Sequence, residues 1–362
     1  MTNPVLSRRE LNRATLQRQQ LLRREAGPVA ELIERLVGLQ AQAPLAPYVA
    51  LWSRLEGFDP ADLSALMTSR RAVRATLLRA TIHLVTAEDC LMMWPLTHTV
   101  ADRGFRGAFG KQLAGADIGA VVAYGTELLS REPYSRNRLR EVLGERWPHW
   151  DANAMAYAVS YLTGTVQVTP RGVWGKTGPA ALQTIESWLG RPPVADPSID
   201  ALVLRYLAAF GPASVADAQT WSGLTRLREV VERLELRRYA DEDGRELFDV
   251  PDGPLPDADT PAPVRFLPEF DNLLLSHADR RRVNPTGRAV PLPPGNGAAM
   301  GTVLIDGDYR ADWRHHRGKS LQVVPHLPLT TRERDEVEAE AVNLLGLIGS
   351  ADTPVEIGQS PK

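Results

Sequence analysis

The stretch from Ile199 to Val250 restricts the possible folds most tightly. Ile199, Leu202, Val203, Tyr206, Leu207 and Phe210 recur at helical spacing, and Gly211-Pro212 ends that run. Ser214 is placed to cap a short helix over 215–222, which Gly223 breaks. Thr225 can cap a third helix carrying Leu227, Val230, Val231 and Leu234. LRRYA, a DEDG turn and RELFDV then read as a β-hairpin. Three short helices followed by a hairpin describe a winged helix-turn-helix. Such a module fixes no function, because many regulate transcription and many only hold partner proteins.

The same order recurs upstream with different residues. AVVAYGTELLSR reads as helix, Ser135 caps RNRLREVLGERW and Asp151 caps ANAMAYAVSYLT. VQV and GVWGK are expected as strands flanking Thr169-Pro170-Arg171. Nearer the N-terminus, helices are expected near 8–23, 28–39, 47–56 and 60–69, with AVRATLLRATIHLV as a hairpin. Five prolines and three aspartates between Pro251 and Pro263 read as a stiff, solvated linker. VRFLPEFDNLLLSH, GTVLIDGDYRADW and SLQVVPHL read as strands, and a helix with Thr331 as its cap closes the chain. The expected fold is mainly α with small β elements. It has three tandem winged helix-turn-helix units, 1–115, 116–195 and 196–262, followed by a β-domain with a C-terminal helix over 263–362.

Composition narrows the function classes. Hydrophobic residues make up 43% and charged residues 24%, which excludes a wholly disordered chain. No apolar run reaches the roughly 18–20 residues that span a bilayer, and MTNPVLSRRELNRATL lacks the apolar core of a signal peptide. A cytoplasmic, nucleoid-associated location with no membrane partner is therefore expected. One cysteine, Cys90, excludes an internal disulfide framework. Net charge is -2, so any attraction for nucleic acid must be local. Residues 1–83 carry 12 Arg against 7 acidic groups, and 265–319 carry 9 basic against 6 acidic groups. A DNA-binding surface is expected in those two segments. Of the 42 basic residues 38 are arginine, which a genome rich in G and C explains as well as selection for phosphate contacts does.

Several motifs carry little. GNGAAMG, 295–301, has the wrong spacing for a dinucleotide loop. DGDYRAD, 306–312, lacks the turn glycine and distal glutamate of a calcium loop and reads as a polar hairpin. The seven histidines show no i,i+4 pair, and His315-His316 are adjacent, so no metal site is expected. Met92-Met93-Trp94 and Cys90 read as core.

GLQAQAPLAPY, 38–48, is different. Gln40 and Gln42 flank Ala41 where Pro44 and Pro47 stop the preceding helix. In an extended exit loop the two amides would share one side. Spacing alone leaves a pair of surface or capping glutamines open. Together with RATLLRATIHLV at 74–85 and LPEFDNLLLSHADRRRV at 267–283, however, the motif resembles the winged-helix DNA glycosylases typified by AlkZ. The resemblance runs in order from about residue 5 to residue 330. It implies three winged helices and a β-domain enclosing DNA in a C-shape. It also implies catalysis by Gln40 and Gln42. A sister branch of the family has Asp at the second position, so Gln42 places the chain with the branch that unhooks interstrand crosslinks. The implied substrate is double-stranded DNA carrying an N7-alkylguanine or a crosslink. Both base-excision repair and antibiotic self-resistance occur in the family. No cofactor is implied, and a C-shaped monomer could hold a duplex unaided.

Alkylation at N7 makes guanine cationic and a good leaving group, so departure needs little acid catalysis. A glutamine carbonyl can orient water or face an oxocarbenium-like sugar. No lysine is near the motif in sequence, which argues against a Schiff-base step. Arg280, Arg281 and Arg282 read either as a phosphate grip at a hairpin tip or as a solvated loop. Arg79 and His83 would face the DNA-side groove or support the glutamine loop, and His83 reads equally as a core histidine. The competing function is a winged-helix regulator without chemistry, which has no need for both glutamines.

Overall fold

Short polar side chains set the helix starts. Ser135, Asp151 and Ser214 accept from the backbone N–H groups of Arg138, Ala154 and Asp217, as expected of N-caps. The C-terminal helix Thr331–Leu347 is capped one residue earlier than expected, by Thr330 in a capping box with Glu333. Leu227–Arg233 has no side-chain cap, since its first flanking residue is Arg226 in the left-handed region rather than Thr225.

The computed structural model describes residues 3–291 and 300–358, so most of the GNGAAMG motif lies outside the described residues. Within them, thirteen α-helices combine with three sheets in a mixed α/β fold. That is richer in β-structure than the expected mainly helical chain. The helices expected at 199–234 are Ile199–Phe210, Val215–Ser222 and Leu227–Arg233, and the hairpin is Arg237–Asp241 with Glu246–Asp249. Val5–Leu6 adds a parallel strand to that hairpin.

The six-stranded sheet joins distant parts of the chain. Leu39–Gln40 pairs with Ile82–Thr86, which pairs with Ala72–Thr76; the last continues through Thr165–Gln167 and Ala181–Thr184 to Tyr134–Ser135. GVWGK is not a strand, because Val173 N–H turns back onto Pro170 O. The five-stranded sheet holds Arg265–Leu267, Gly301–Ile305, Asp308–His316, Ser320–Pro325 and Val355–Ile357. Pro268 has no N–H with which to extend the first of these strands, so PEFDNLLLSH leaves the sheet and forms a 3-10 turn, Asn272–Leu274, capped by Asp271. Cys90 and Met93 are buried in the largest apolar cluster, and burial pushes the thiol up to about 12. No helix among the described residues is long and apolar enough to cross a membrane.

The basic surplus of the first segment is largely internal. Arg8, Arg9, Arg13, Arg18, Arg24 and Arg54 all pair with acidic groups that lie more than two hundred residues away. The helix Arg8–Arg18 also holds the proline-rich stretch: Arg9, Arg13 and Arg18 donate to Ala258 O, Thr260 O and Pro254 O at 2.8, 2.6 and 3.1 Å. That segment is a strap against the helix, not a free linker. Arg18 meets Asp249 through two bonds of 2.6 and 2.7 Å, and both side chains are 1% exposed. Gly253 allows this approach, since a Cβ there would come within 2.6 Å of both Arg18 Nη2 and Asp249 Oδ2. Asp249→Asn strands a buried guanidinium and should lower unfolding stability by about 3–5 kcal/mol. Glu127→Gln, in the exposed Arg131–Glu127 pair, should cost under about 1 kcal/mol. Urea denaturation compares the two, and equal costs would contradict the ranking.

Candidate active site

Helix Val29–Arg35 ends four residues before the expected position, because Val37 and Gly38 take φ of 54° and 89°. Gly38 must be glycine on a second ground: a Cβ would lie 2.6 Å from Val85 Cγ1. The turn delivers Leu39–Gln40 as an edge strand with Gln40 opposite His83. Ala41 N–H donates to Ile82 O at 2.7 Å, and the chain then bends at Gln42.

The two glutamines meet different partners. Gln42 lines a cleft of about 490 Å³ together with Arg74, Arg136, Tyr157, Arg171 and Glu269. Its Oε1 is 3.4 Å from Ile82 N–H. Gln40 is buried one layer in, with Oε1 accepting from Arg79 Nη2 at 2.7 Å.

Arg79 sits in the left-handed region at φ 54°, inside the turn between strands Ala72–Thr76 and Ile82–Thr86. Besides Gln40 it donates to Asn272 Oδ1 at 3.0 Å and Trp221 O at 2.5 Å. Asn272 in turn donates to Gly38 O at 3.2 Å. Burial, with Arg280 nearby, pulls the Arg79 guanidinium down to about 10. It supports the glutamine loop and is not free to grip DNA. His83 is fully buried, and desolvation, with Arg79 adding to it, pushes the ring down to about 3, so it is neutral. Its Nδ1 lies 3.1 Å from Thr81 O and its Nε2 has no partner. Of the two readings of His83, the structure shows the core histidine, buried within strand Ile82–Thr86.

The arginine run divides three ways. Arg280–Arg282 forms a 3-10 turn, in which successive side chains diverge by about 120°. Arg282 is buried and donates to Thr15 Oγ1 and Pro212 O at 3.1 and 3.0 Å. Arg281 is paired with Asp279 and Asp243. Neither Arg280 nor Arg282 has an ion pair among the described residues, but of the two only Arg280 is not buried, so the run is neither a hairpin tip nor a triple phosphate grip.

Other residues complete the cleft around Gln42. Arg74 is 1% exposed, donates Nη2 to Ala41 O at 2.7 Å, and leaves Nη1 and Nε without partners. Desolvation, with Arg171 adding to it, pulls it down to about 10. Gln167 Oε1, on the neighbouring strand, is likewise unpartnered. Buried polar groups left unsatisfied at a cleft mark places where a ligand completes the bonding. Arg136 lies over the Tyr157 ring at 4.4 Å. Burial raises the Glu269 carboxyl above its usual range. Arg74 had a signal, an arginine within the otherwise apolar AVRAT strand; Glu269 had one in following the strand-ending Pro268. Among the described residues no cluster of His, Cys, Asp or Glu is placed to hold a metal ion.

The family model described as DNA glycosylase AlkZ-like matches residues 33–347, which include the glutamine motif and the whole cleft lining. The chain belongs to the AlkZ-like DNA glycosylase family. No curated protein matches it in sequence. Among solved structures it is similar to the DNA glycosylase AlkZ of Streptomyces sahachiroi, at 19% identity, with 98% of this chain and 100% of that chain covered and a TM-score of 0.76. At that identity the likeness concerns the fold.

Within this AlkZ-like chain Arg79 is the residue whose loss should be felt most widely. Arg79→Met leaves three acceptors without their donor and should lower stability by about 2–4 kcal/mol. Guanidinium chloride unfolding would show it, and a midpoint equal to that of the wild type would mean that the three contacts are not formed.

Proposed function

We propose that the protein is a monofunctional DNA glycosylase that hydrolyses the N-glycosidic bond of N7-alkylguanine and unhooks interstrand crosslinks joined through such bases. Family membership supports base excision from DNA. The observation that carries the reading is Gln42 on the wall of a cleft whose other walls hold three arginines and Tyr157. We further propose that three winged helices, spanning 1–115, 116–195 and 196–262, and a β-domain over 263–362 form a C-shaped monomer around the duplex. Its role is base-excision repair or self-resistance to a DNA-alkylating natural product.

The chemistry follows from the lesion. A cationic purine leaves with the electron pair of the C1′–N9 bond and becomes neutral, while the sugar takes on positive charge. Arg136 and Arg171 hold backbone phosphates beside the extruded nucleotide, and the buried Arg74 behind them adds positive charge to the cleft wall. Tyr157 offers a face for stacking. Gln42 orients the attacking water through its carbonyl, and Gln40, its carbonyl held by Arg79, offers its NH₂ to the sugar or the water. Neutral amides add little to phosphate attraction, so binding and chemistry should separate.

Gln40→Ala and Gln42→Ala should each lower excision by about 10-fold or more while duplex affinity stays within about three-fold. Gln42→Asp should keep activity on monoadducts with an altered preference for crosslinks. Single-turnover excision from a duplex with one N7-methylguanine, followed by alkali to cut abasic sites, gives the rates. A variant that binds and excises at the wild-type rate removes that glutamine from the mechanism.

A further inference from the structure

We propose that Glu269 is a second catalytic group in this cleft: its carboxylate takes the proton of the attacking water and faces the positive charge on the sugar. The proposal rests on the glycosylase reading of the same cleft and supplies what two amides cannot, a base.

Position argues first. Glu269 is the one carboxylate among the described residues lining the cleft, which it shares with Gln42, Arg74, Arg136 and Arg171. Despite three arginines around the same space, it forms no ion pair among the described residues, whereas carboxylates across this fold are widely paired. Apart from its own backbone N–H, which favours the charged form, it serves no charged partner.

The backbone around it is held firmly. Strand Arg265–Leu267 ends at Pro268, and Phe270 takes a left-handed φ of 64°, a costly conformation for an aromatic residue. The next two residues are fixed by guanidinium groups. Arg54 grips Asp271 through bonds of 2.9 and 3.0 Å, with both side chains at most 2% exposed. Arg79 grips Asn272 and, with the same nitrogen, Gln40. One partly buried cation thus ties the segment bearing Glu269 to the strand bearing Gln40. A strained residue beside an unpaired, half-buried carboxylate, with its flank clamped twice, is an arrangement that the packing of the fold does not require.

Chemically the step is complete. The C1′–N9 bond breaks and its electron pair goes to the cationic purine, which leaves neutral. A water oxygen forms the new bond to C1′, and one of its protons passes to Glu269. The products are free base, abasic sugar and a protonated carboxyl that returns its proton to solvent. Burial, which raises the carboxyl above its ordinary value, makes it a better proton acceptor than a solvated glutamate.

The test uses the full chain and a duplex with one N7-methylguanine, with single-turnover rates taken over a pH series after subtraction of the no-enzyme rate. Glu269→Gln should excise about 100-fold more slowly and bind duplex with little change. Wild-type rates should fall as pH drops, with a midpoint above the ordinary carboxylate range, and the residual rate of Glu269→Gln should lack that acid limb. Glu269→Asp should keep the limb at an intermediate rate, which guards against a folding defect in the glutamine variant. Glu269→Gln within about three-fold of wild type, or a wild-type profile flat in acid, overturns the proposal while leaving the glycosylase reading intact. A wild-type protein that excises nothing at any pH overturns the glycosylase reading, and with it this proposal.

Discussion

A guanidinium packed partly out of water against neutral oxygens loses much of its hydration and receives no countercharge in return. Arg79 is such a group, with Gln40, Asn272 and Trp221 as its acceptors and no carboxylate among them. Removing any one acceptor leaves a charge poorly solvated, so the three segments that supply them are locked to one geometry. They are the glutamine strand, the turn after Pro268 and the helix Val215–Ser222. The cleft inherits its shape from that lock. Gln42 is two residues beyond Gln40, and Glu269 is three residues before Asn272.

Charge is placed economically around this centre. The net charge is -2, and half of the twelve arginines of the N-terminal segment, Arg8, Arg9, Arg13, Arg18, Arg24 and Arg54, pair with acidic groups from the distant C-terminal part of the fold. Pairs such as Arg18–Asp249 and Arg54–Asp271 hold distant segments together at a high desolvation cost. The cleft gathers three arginines that have no ion pair among the described residues: Arg74 with two unpartnered nitrogens, Arg136 over an aromatic ring, and Arg171. A nearly neutral protein can thereby present a positive field in one confined place, where low dielectric strengthens it.

Elements governed by local rules were legible in the sequence. Ile199–Phe210, its Gly-Pro stop, the Ser214 cap and the following hairpin depend on neighbours within a few residues, and all of them formed. The glutamine motif pointed to the right loop, but the bend at Gln42 needs the partner strand Ile82–Thr86 and could not be read from spacing. Charge counting misled for the same reason. The acids that neutralise Arg18 and Arg54 lie 231 and 217 residues away, and the 3-10 turn at Arg280–Arg282 sends three like residues to three different environments. Arg74 and Glu269 take their meaning from a cleft that assembles strands, helices and loops distant in the chain.

The central claim is that this cleft breaks an N-glycosidic bond by hydrolysis. Its most direct test is to identify both products from one duplex carrying a single N7-methylguanine. Chromatography with mass detection would follow the free base, and mass spectrometry of the intact strand would follow the DNA. The account requires free N7-methylguanine and an uncut strand bearing an abasic sugar, formed in equal amounts and faster than without protein. Intact modified strand alone, or a strand cut at the lesion without stoichiometric free base, would contradict it.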